Sequence, residues 1–259
     1  MPNQPQLILL DLDGTLLNSE EEVSTANKEV LQNLQQQGNK IAIATGRHHK
    51  EAKKVTKDLD ELSYITTNGS YIEDAAGQEI FSSALETKSV LAVIDIIEDE
   101  FDLEYFLFTK DSILANKQLD ITLQVKKDLQ EYMRLKKPVV HKVFATGDSQ
   151  EISAAKDKIK AKLEAEIALT SSSPKNLEVT ATNISKGRGL NILAEHLGIP
   201  VEKTIAFGDS TNDMKLLKEA QIAVAMGNCE VEELKEEADI IAPTNENDGV
   251  AEILKELLL

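Results

Sequence analysis

Short apolar segments recur in the first and last thirds of the chain, and helical patterns separate most of them. Each segment has the length and composition of a buried strand, and each ends in small or polar residues. They cover residues 7–10, 41–44, 64–66, 204–207, 222–226 and 240–242. Strands that alternate with helices predict an α/β fold with a Rossmann-like, doubly wound parallel sheet as its core.

Two of the intervening segments have the pattern of crossover helices. Residues 24–37 place apolar side chains at helical spacing and end before Gly38, and residues 186–197 do the same before Gly198. Sheets of this kind bind ligands in the crevice beyond the carboxyl ends of their strands. We therefore expect the polar strand endings to meet at one rim of the sheet.

The middle third has a different pattern, because several of its strands are joined by turns instead of helices. The strand candidates are 103–108, 113–116, 139–146, 167–171 and 176–180, and the helix candidates include 90–97 and 119–135. This pattern predicts a mostly antiparallel sheet with helices on one face. We expect an α+β cap domain at 84–181, inserted between core segments 1–83 and 182–259.

The charge balance limits the partners of the chain. Asp and Glu total 45 against 28 for Lys and Arg, a formal net charge of −17 at pH 7. Such a surface repels nucleic acid and anionic lipid, so we expect neither nucleic acid nor membrane as a partner. The single cysteine, Cys229, excludes an internal disulfide, and the polar start has no signal-peptide pattern. We expect a cytoplasmic monomer, with a homodimer as the alternative.

The first strand runs directly into Asp11-Leu12-Asp13-Gly14-Thr15. A carboxylate at the end of an apolar strand needs a compensating charge, because its desolvation without a partner costs several kcal/mol. A divalent cation would supply that charge. The alternative is that Asp11 and Asp13 only cap a turn at Gly14. A calcium loop is excluded, because it requires flanking helices, whereas the preceding segment is strand-like.

A second acidic cluster, Gly208-Asp209-Ser210-Thr211-Asn212-Asp213, follows a later strand. Two acidic clusters at neighbouring strand ends form a site of hard oxygen ligands that suits Mg²⁺. Asp213 and Asn212 fall in the first helical turn, where they can orient the ligand carboxylates. The alternative is an acidic helix start that only favours the helix dipole.

Thr45, Gly46 and Lys186 add groups that can hold a phosphoryl group. Thr45 ends the second strand with a hydroxyl, and Gly46 lets backbone amides approach an anion closely. Lys186 follows a helix cap, Ser185, at a position where a cation is unfavourable unless an anion lies nearby.

These segments resemble the four ordered motifs of the haloacid dehalogenase-like superfamily, in its Cof-like phosphatase subgroup. The motifs are Asp11-Leu12-Asp13-Gly14-Thr15, Thr45-Gly46-Arg47, Lys186 and Gly208-Asp209 to Asn212-Asp213. The resemblance covers both core segments, and the middle insertion is similar to the large α/β cap of that subgroup. Ser210 departs from the pattern, because the subgroup most often has Asn there.

The resemblance implies a role for each matching residue. Asp11 would be the nucleophile and Asp13 the general acid and base. Mg²⁺ would be held by Asp11, the backbone carbonyl of Asp13, and Asp209. The phosphate would be bound by Thr45, Gly46, Lys186 and Asn212, while Asp213 would orient the metal ligands and Arg47 would contact the substrate or an acidic neighbour. His48 and His49 are expected to be solvated helix residues.

The resemblance thus implies a Mg²⁺-dependent phosphatase that hydrolyses small phosphorylated metabolites, of which sugar phosphates are one class, through an aspartyl-phosphate. A phosphomutase with the same intermediate is an alternative that the sequence does not separate from it. A phosphoryl-accepting signalling module is disfavoured, because it gives no reason for the inserted domain. Nucleotide binding is disfavoured, because no glycine-rich fingerprint follows the first strand.

Overall fold

The chain folds as two compact units, and the residues of each unit contact mainly one another. The computed structural model describes residues 6–117, 124–125, 129–171 and 173–259. The core unit consists of residues up to Phe81 together with Ser185–Leu259, and the insert unit consists of Ser82–Ile184. The predicted cap, residues 84–181, lies within the insert unit.

The strands of both units are named in chain order. They are β1 (Leu7–Leu10), β2 (Lys40–Ala44), β3 (Leu62–Thr66), β4 (Tyr71–Glu73), β5 (Glu79–Ser82), β6 (Glu104–Thr109), β7 (Ile113–Ala115), β8 (Gln124–Val125), β9 (Val140–Thr146), β10 (Ile167–Thr170), β11 (Asn176–Ala181), β12 (Thr204–Gly208), β13 (Ile222–Ala225) and β14 (Ile240–Ile241). The core sheet has the order β14-β13-β12-β1-β2-β3-β4-β5, and the insert sheet has the order β10-β11-β9-β6-β7-β8.

The α-helices are named in the same way. They are α1 (Thr25–Gln36), α2 (His49–Val55), α3 (Thr87–Glu100), α4 (Leu129–Lys136), α5 (Ser149–Leu163), α6 (Lys186–Leu197), α7 (Met214–Glu219), α8 (Glu232–Glu237) and α9 (Gly249–Leu258). Side-chain caps begin the two predicted crossover helices: Ser24 accepts from Asn27 N at 3.1 Å, and Ser185 accepts from Arg188 N at 3.1 Å.

The centre of the core sheet is parallel and covered on both faces. β1 pairs in parallel with β12 on one side and with β2 on the other. Its side chains alternate between two apolar clusters: Ile8 and Leu10 pack with residues of α1 and α9, and Leu7 and Leu9 with residues of α6 and α7. The side chains of all four residues of β1 are buried. The predicted doubly wound α/β core is confirmed.

One edge of the core sheet is not parallel. β4 runs antiparallel to β3, with Ile72 opposite Ile65, and β5 follows it at the edge. The sequence pattern did not predict these two strands, because both are short and carry charged residues. They extend the sheet beyond the strand that ends near Asn68.

The insert sheet is antiparallel apart from its last pair, β7 with β8. Alternate residues such as Tyr105, Leu107 and Val143 lie in one apolar cluster with residues of α3 and α5. The helices therefore cover one face of the sheet, and the α+β character predicted for this unit is confirmed.

The helix predicted over residues 119–135 is wrong in its extent. Part of this segment lies outside the described residues, but Gln124 and Val125 form β8, and the helix α4 begins only at Leu129. The short strand depends on pairing with β7, a tertiary contact that periodicity does not show. Among the helices in the described part of the chain, none combines the length and apolar character that a bilayer crossing requires.

Candidate active site

The carboxyl ends of the central core strands bring the predicted site residues together. Asp11 follows β1, and its backbone N–H donates to the carbonyl of Phe207 in β12 at 3.2 Å. Asp209 follows the end of β12, and Thr45 follows β2 on the other side of β1. Because neighbouring parallel strands end at one edge of a sheet, the expected rim exists.

Lys186 lies at the centre of this rim with its side chain fully buried. Its Nζ lies 2.7 Å from Oδ1 of Asp11 and 2.6 Å from Oδ1 of Asp213. Burial alone would lower the pKa of Lys186, but the two carboxylates reverse that effect and raise it. The ammonium therefore stays charged between Asp11 and Asp213.

Asp213 uses both of its carboxylate oxygens to hold neighbouring groups. Oδ1 accepts from Lys186, and Oδ2 accepts from the backbone N–H groups of Asp209 and Ser210, each at 3.1 Å. This fully buried side chain therefore fixes the loop after β12 and the position of the lysine. Such contacts suit the orienting role expected for Asp213.

Asp209 lies against the loop after β1. Its Oδ1 accepts from the hydroxyl of Thr15 at 3.1 Å, and a Cβ at Gly14 would lie only 2.3 Å from its Oδ2. Gly14 has a φ of 80°, so both its backbone and its surroundings require glycine. Burial and the charge of Asp213 raise the pKa of Asp209 to about 6.

The donor set of this site fits a divalent cation. Asp11, Asp209 and Asp213 each offer an oxygen, and these atoms lie within 4.8 Å of one another. Burial, and then the charge of Asp213, raise the pKa of Asp11 well above its usual range, although Lys186 opposes the shift. Three carboxylates beside one lysine leave an excess of negative charge, which a hard cation with oxygen ligands would neutralise.

Asn212 and the segment after β2 lie beside the lysine. Lys186 Nζ donates to Oδ1 of Asn212 at 3.4 Å. A Cβ at Gly46 would lie 3.6 Å from Nδ2 of Asn212, so the two residues are neighbours. The buried hydroxyl of Thr45 accepts from the backbone N–H of Arg47 at 3.1 Å, which closes the turn around Gly46. Polar groups of Asn212, Thr45 and the backbone at Gly46 thus lie side by side, and such groups suit the phosphate contacts expected from the sequence.

Asp13 is more exposed than Asp11, and Arg47 holds its carboxylate. Nε of Arg47 donates to Oδ2 of Asp13 at 2.8 Å, and the side chain of Asp13 is 55% exposed. Arg47 also donates to Oε1 of Glu21 at 3.1 Å. Of the two contacts expected for Arg47, the structure shows the one with acidic neighbours.

Several residues join the site without having been assigned a role from the sequence. Thr15 contacts Asp209, Asn228 donates to the carbonyl of Gly14 at 2.8 Å, and Asn68 accepts from Nδ2 of Asn212 at 3.3 Å. The position of Asn68 and Asn228 after strands was visible in the sequence, but their partners depend on loop conformation.

The two neighbouring histidines are not solvated as expected. His48 is buried and accepts from Lys50 N as the cap of α2, and the Nε2 of His49 lies 3.1 Å from Oε2 of Glu73. Glu73 belongs to β4, the strand that the sequence pattern did not predict, so the contact of His49 with Glu73 was not predicted either.

Comparison with known proteins identifies the family. The sequence model of the family of haloacid dehalogenase-like hydrolases matches residues 8–254 of this chain. Phosphatase YwpJ of Bacillus subtilis is 32% identical over 98% of this chain and 100% of its own length. The 5-amino-6-(5-phospho-D-ribitylamino)uracil phosphatase YcsE of Bacillus subtilis is 31% identical over 98% of this chain and 96% of its own length.

A solved structure agrees with these relatives. A haloacid dehalogenase-like hydrolase from B. subtilis superposes with a TM-score of 0.89 and 28% identity, covering 98% of this chain and 100% of the other. The fold, the family model and the curated relatives all support the resemblance first indicated by the four motifs. This chain belongs to the haloacid dehalogenase-like hydrolases, in their Cof-like group, and is a phosphoric monoester hydrolase.

Proposed function

We propose that this protein is a Mg²⁺-dependent phosphatase that hydrolyses small phosphorylated metabolites through an aspartyl-phosphate on Asp11. The observation that carries the proposal is the buried contact of 2.7 Å between Lys186 Nζ and Asp11 Oδ1, within a cluster of three carboxylates. A nucleophilic carboxylate and a phosphate dianion repel each other. A buried ammonium and a divalent cation at the same place reduce that repulsion.

Asp11 would attack the phosphorus atom in the first half of the reaction. A bond forms between a carboxylate oxygen of Asp11 and phosphorus, and the bond from phosphorus to the ester oxygen breaks. Asp13 would give its proton to the departing oxygen, which leaves as an alcohol. The products of this half are an acyl phosphate on Asp11 and a deprotonated Asp13.

Water completes the cycle in the second half. Asp13 would take a proton from the water molecule as its oxygen attacks phosphorus, and the bond between phosphorus and Asp11 breaks. Inorganic phosphate leaves, Asp11 is again a carboxylate and Asp13 is again protonated. Arg47 donates to both oxygens of Asp13. When one oxygen carries the proton, Arg47 would keep its contact with the other, and so hold the carboxyl group in one orientation for both transfers.

The remaining residues would bind the phosphoryl group and the metal ion. Lys186, Asn212, the hydroxyl of Thr45 and the backbone at Gly46 would contact the non-bridging oxygens. Asp11, the backbone carbonyl of Asp13, and Asp209 would hold Mg²⁺. When bound, Mg²⁺ would supply positive charge to the transferring group. Asp213 would keep Lys186 and the loop at Asp209 in place.

The substrate class follows from the relatives and from the charge of the chain. A curated relative is a phosphatase of a phosphorylated ribitylamino-uracil, a small polyol phosphate. A net charge of −17 supports the proposal that neither nucleic acid nor membrane is a partner. We propose that the protein acts in the cytoplasm as a monomer.

Replacement of Asp11 by Asn tests the proposal. The variant Asp11→Asn keeps the size of the side chain but loses the nucleophile, so release of phosphate from 4-nitrophenyl phosphate with Mg²⁺ should fall at least about a thousandfold. Asp58→Asn is the matched control, because Asp58 forms an exposed ion pair with Lys28 and should leave the rate unchanged. Hydrolysis by Asp11→Asn at the wild-type rate, or wild-type hydrolysis unaffected by EDTA, would refute the proposed mechanism.

A further inference from the structure

A run of left-handed residues follows β3 at the rim of the core site. Thr67, Asn68 and Gly69 have φ values of 49°, 58° and 99°. Glycine is required at the last position, because a Cβ at Gly69 would lie 2.4 Å from the carbonyl oxygen of Ser185. Thr67 and Asn68 are not glycines, and left-handed backbone in such residues is strained. The surrounding structure must therefore hold this turn in place.

The backbone of this turn is bonded to the segment after β2. The N–H of Thr67 donates to the carbonyl of Arg47 at 3.0 Å, and the N–H of Asn68 donates to the carbonyl of Thr45 at 3.1 Å. These two hydrogen bonds lie on either side of Gly46. The strained turn therefore fixes the backbone that lines the phosphate side of the proposed site.

The side chain of Asn68 continues a line of hydrogen bonds that begins at the lysine. Lys186 Nζ donates to Oδ1 of Asn212, and Nδ2 of Asn212 donates to Oδ1 of Asn68 at 3.3 Å. Because a lysine ammonium can only donate, Asn212 must turn its oxygen toward Lys186 and its NH₂ group toward Asn68. The hydroxyl of Ser210 donates to the same Asn212 oxygen at 2.7 Å, so Lys186 and Ser210 fix which way the amide faces. Oδ1 of Asn68 accepts from the NH₂ group at the other end and holds it in place.

The same oxygen is packed against Gly46. A Cβ at Gly46 would lie 3.0 Å from Oδ1 of Asn68 and 3.6 Å from Nδ2 of Asn212. Asn68, which is buried, thus contacts both the amide and the backbone that are proposed to bind phosphate.

We infer that Asn68 is a positioning residue: its oxygen holds the NH₂ group of Asn212, and its backbone holds the Gly46 segment, where both would contact the phosphoryl group. The inference rests on the proposed phosphatase function. It explains why a strained turn with an asparagine is found here, where glycine would adopt the backbone more easily.

The variant Asn68→Gly separates the side chain from the backbone. Glycine accepts a positive φ, and this gain offsets part of the cost of the lost side chain and of glycine's greater freedom in the unfolded chain, so the variant should remain folded. Its dissociation constant for inorganic phosphate, measured by calorimetry with Mg²⁺, should rise about tenfold, because Asn212 would no longer be held where it donates to the bound anion. kcat/KM for 4-nitrophenyl phosphate should fall by a similar factor. A residue with only a structural role would not weaken phosphate binding in a variant that remains folded.

Glu61→Gly is the matched control. Glu61 has a φ of 51° and is exposed at the opposite end of β3, so this variant relieves similar backbone strain away from the site. It should keep the phosphate affinity and kcat/KM of the wild type. When Asn68→Gly is added to Asn212→Ala, phosphate affinity and kcat/KM should each fall by less than a further factor of about two, because Asn68 acts through Asn212.

The two proposals fail in different ways. If Asn68→Gly binds phosphate and turns over substrate like Glu61→Gly, the positioning role is wrong, although the phosphatase function stands. If the loss of kcat/KM in the double variant equals the product of the losses in Asn68→Gly and Asn212→Ala, Asn68 does not act through Asn212 and the inference also fails. If the wild type shows no Mg²⁺-dependent hydrolysis of phosphate esters, the proposed function itself is wrong.

Discussion

Lys186 and Asp213 form a fully buried ion pair, with Nζ and Oδ1 2.6 Å apart and neither side chain exposed to solvent. Lys186 also contacts Asp11, so one ammonium serves two buried carboxylates. Removal of a partner from a buried ion pair leaves a desolvated charge without compensation, which is far more costly than the loss of a surface pair. The lysine is therefore expected to matter for stability as well as for phosphate binding.

Replacement of Lys186 by Met should destabilise the protein strongly. We expect the free energy of unfolding at pH 7, measured with urea in EDTA, to fall by about 3–5 kcal/mol. Lys28→Met is the control, because its ion pair with Asp58 lies on the surface and should contribute about 0–1 kcal/mol. Equal losses in the two variants would show that the buried lysine is not the compensating charge of the site.

Replacement of Gly14 by Ala should disrupt the site through a single methyl group. The added Cβ would lie 2.3 Å from Oδ2 of Asp209, so the carboxylate or the loop after β1 must move. Gly38→Ala has the same kind of strain, with a φ of 93°, but no atom lies within 4 Å of the added Cβ. Both variants should lose about 1 kcal/mol from the strained backbone.

The difference between these two variants lies in catalysis. Gly14→Ala should need a higher Mg²⁺ concentration for half-maximal hydrolysis of 4-nitrophenyl phosphate and should lose at least about tenfold in kcat. Gly38→Ala should have the Mg²⁺ dependence and kcat of the wild type. The same Mg²⁺ dependence in Gly14→Ala would contradict the assignment of Asp209 as a ligand.

The convergence of Asp11, Thr45, Lys186 and Asp209 could be predicted because the sheet determines it. Parallel strands end at one edge, and helices that start there carry their first residues to the same edge. The pairing of Arg47 with Asp13 and of Asn68 with Asn212 could not be predicted, since side-chain directions depend on the φ and ψ angles of each loop. The contact of His49 with Glu73 could not be predicted either, because Glu73 lies in a strand that is too short to have its own pattern.

Asp209 should make the metal-free protein less stable at neutral pH than at acidic pH. Burial and then Asp213 raise its pKa from 3.8 to about 6 in the folded protein, a shift that corresponds to roughly 3 kcal/mol. The folded state binds this proton more tightly than the unfolded chain, so the stabilisation is present below about pH 4 and is lost as the pH rises through about 6. At pH 7 in EDTA, Asp209→Asn should therefore increase the free energy of unfolding.

Asp213→Asn is the matched control, and the expected change has the opposite sign. Both oxygens of Asp213 accept hydrogen bonds, one from Lys186 and one from the backbone after β12, so loss of the carboxylate should destabilise the protein. Urea unfolding in EDTA between pH 4 and pH 7 measures both variants. The gain of Asp209→Asn should vanish near the acidic limit. A lower free energy of unfolding in Asp209→Asn at pH 7 would contradict the unfavourable burial of the Asp209 carboxylate beside Asp213.

Arg47 should affect the proton transfers made by Asp13 more than the binding of phosphate. Arg47→Met removes the guanidinium group and so releases the Asp13 carboxyl group from its hydrogen bonds with Arg47, one of which is 2.8 Å long. A nitrophenolate leaves without much help from an acid, whereas an alcohol needs a proton, and general acid catalysis contributes about 10²–10⁴-fold. The loss of kcat/KM in Arg47→Met should therefore be at least about tenfold larger for glycerol phosphate than for 4-nitrophenyl phosphate.

Asp13→Asn should show the same dependence on the leaving group. The double variant should have nearly the same kcat/KM as Asp13→Asn alone, since Arg47 acts through Asp13. Equal losses of Arg47→Met on both substrates would instead show that Arg47 acts through binding and not through the general acid.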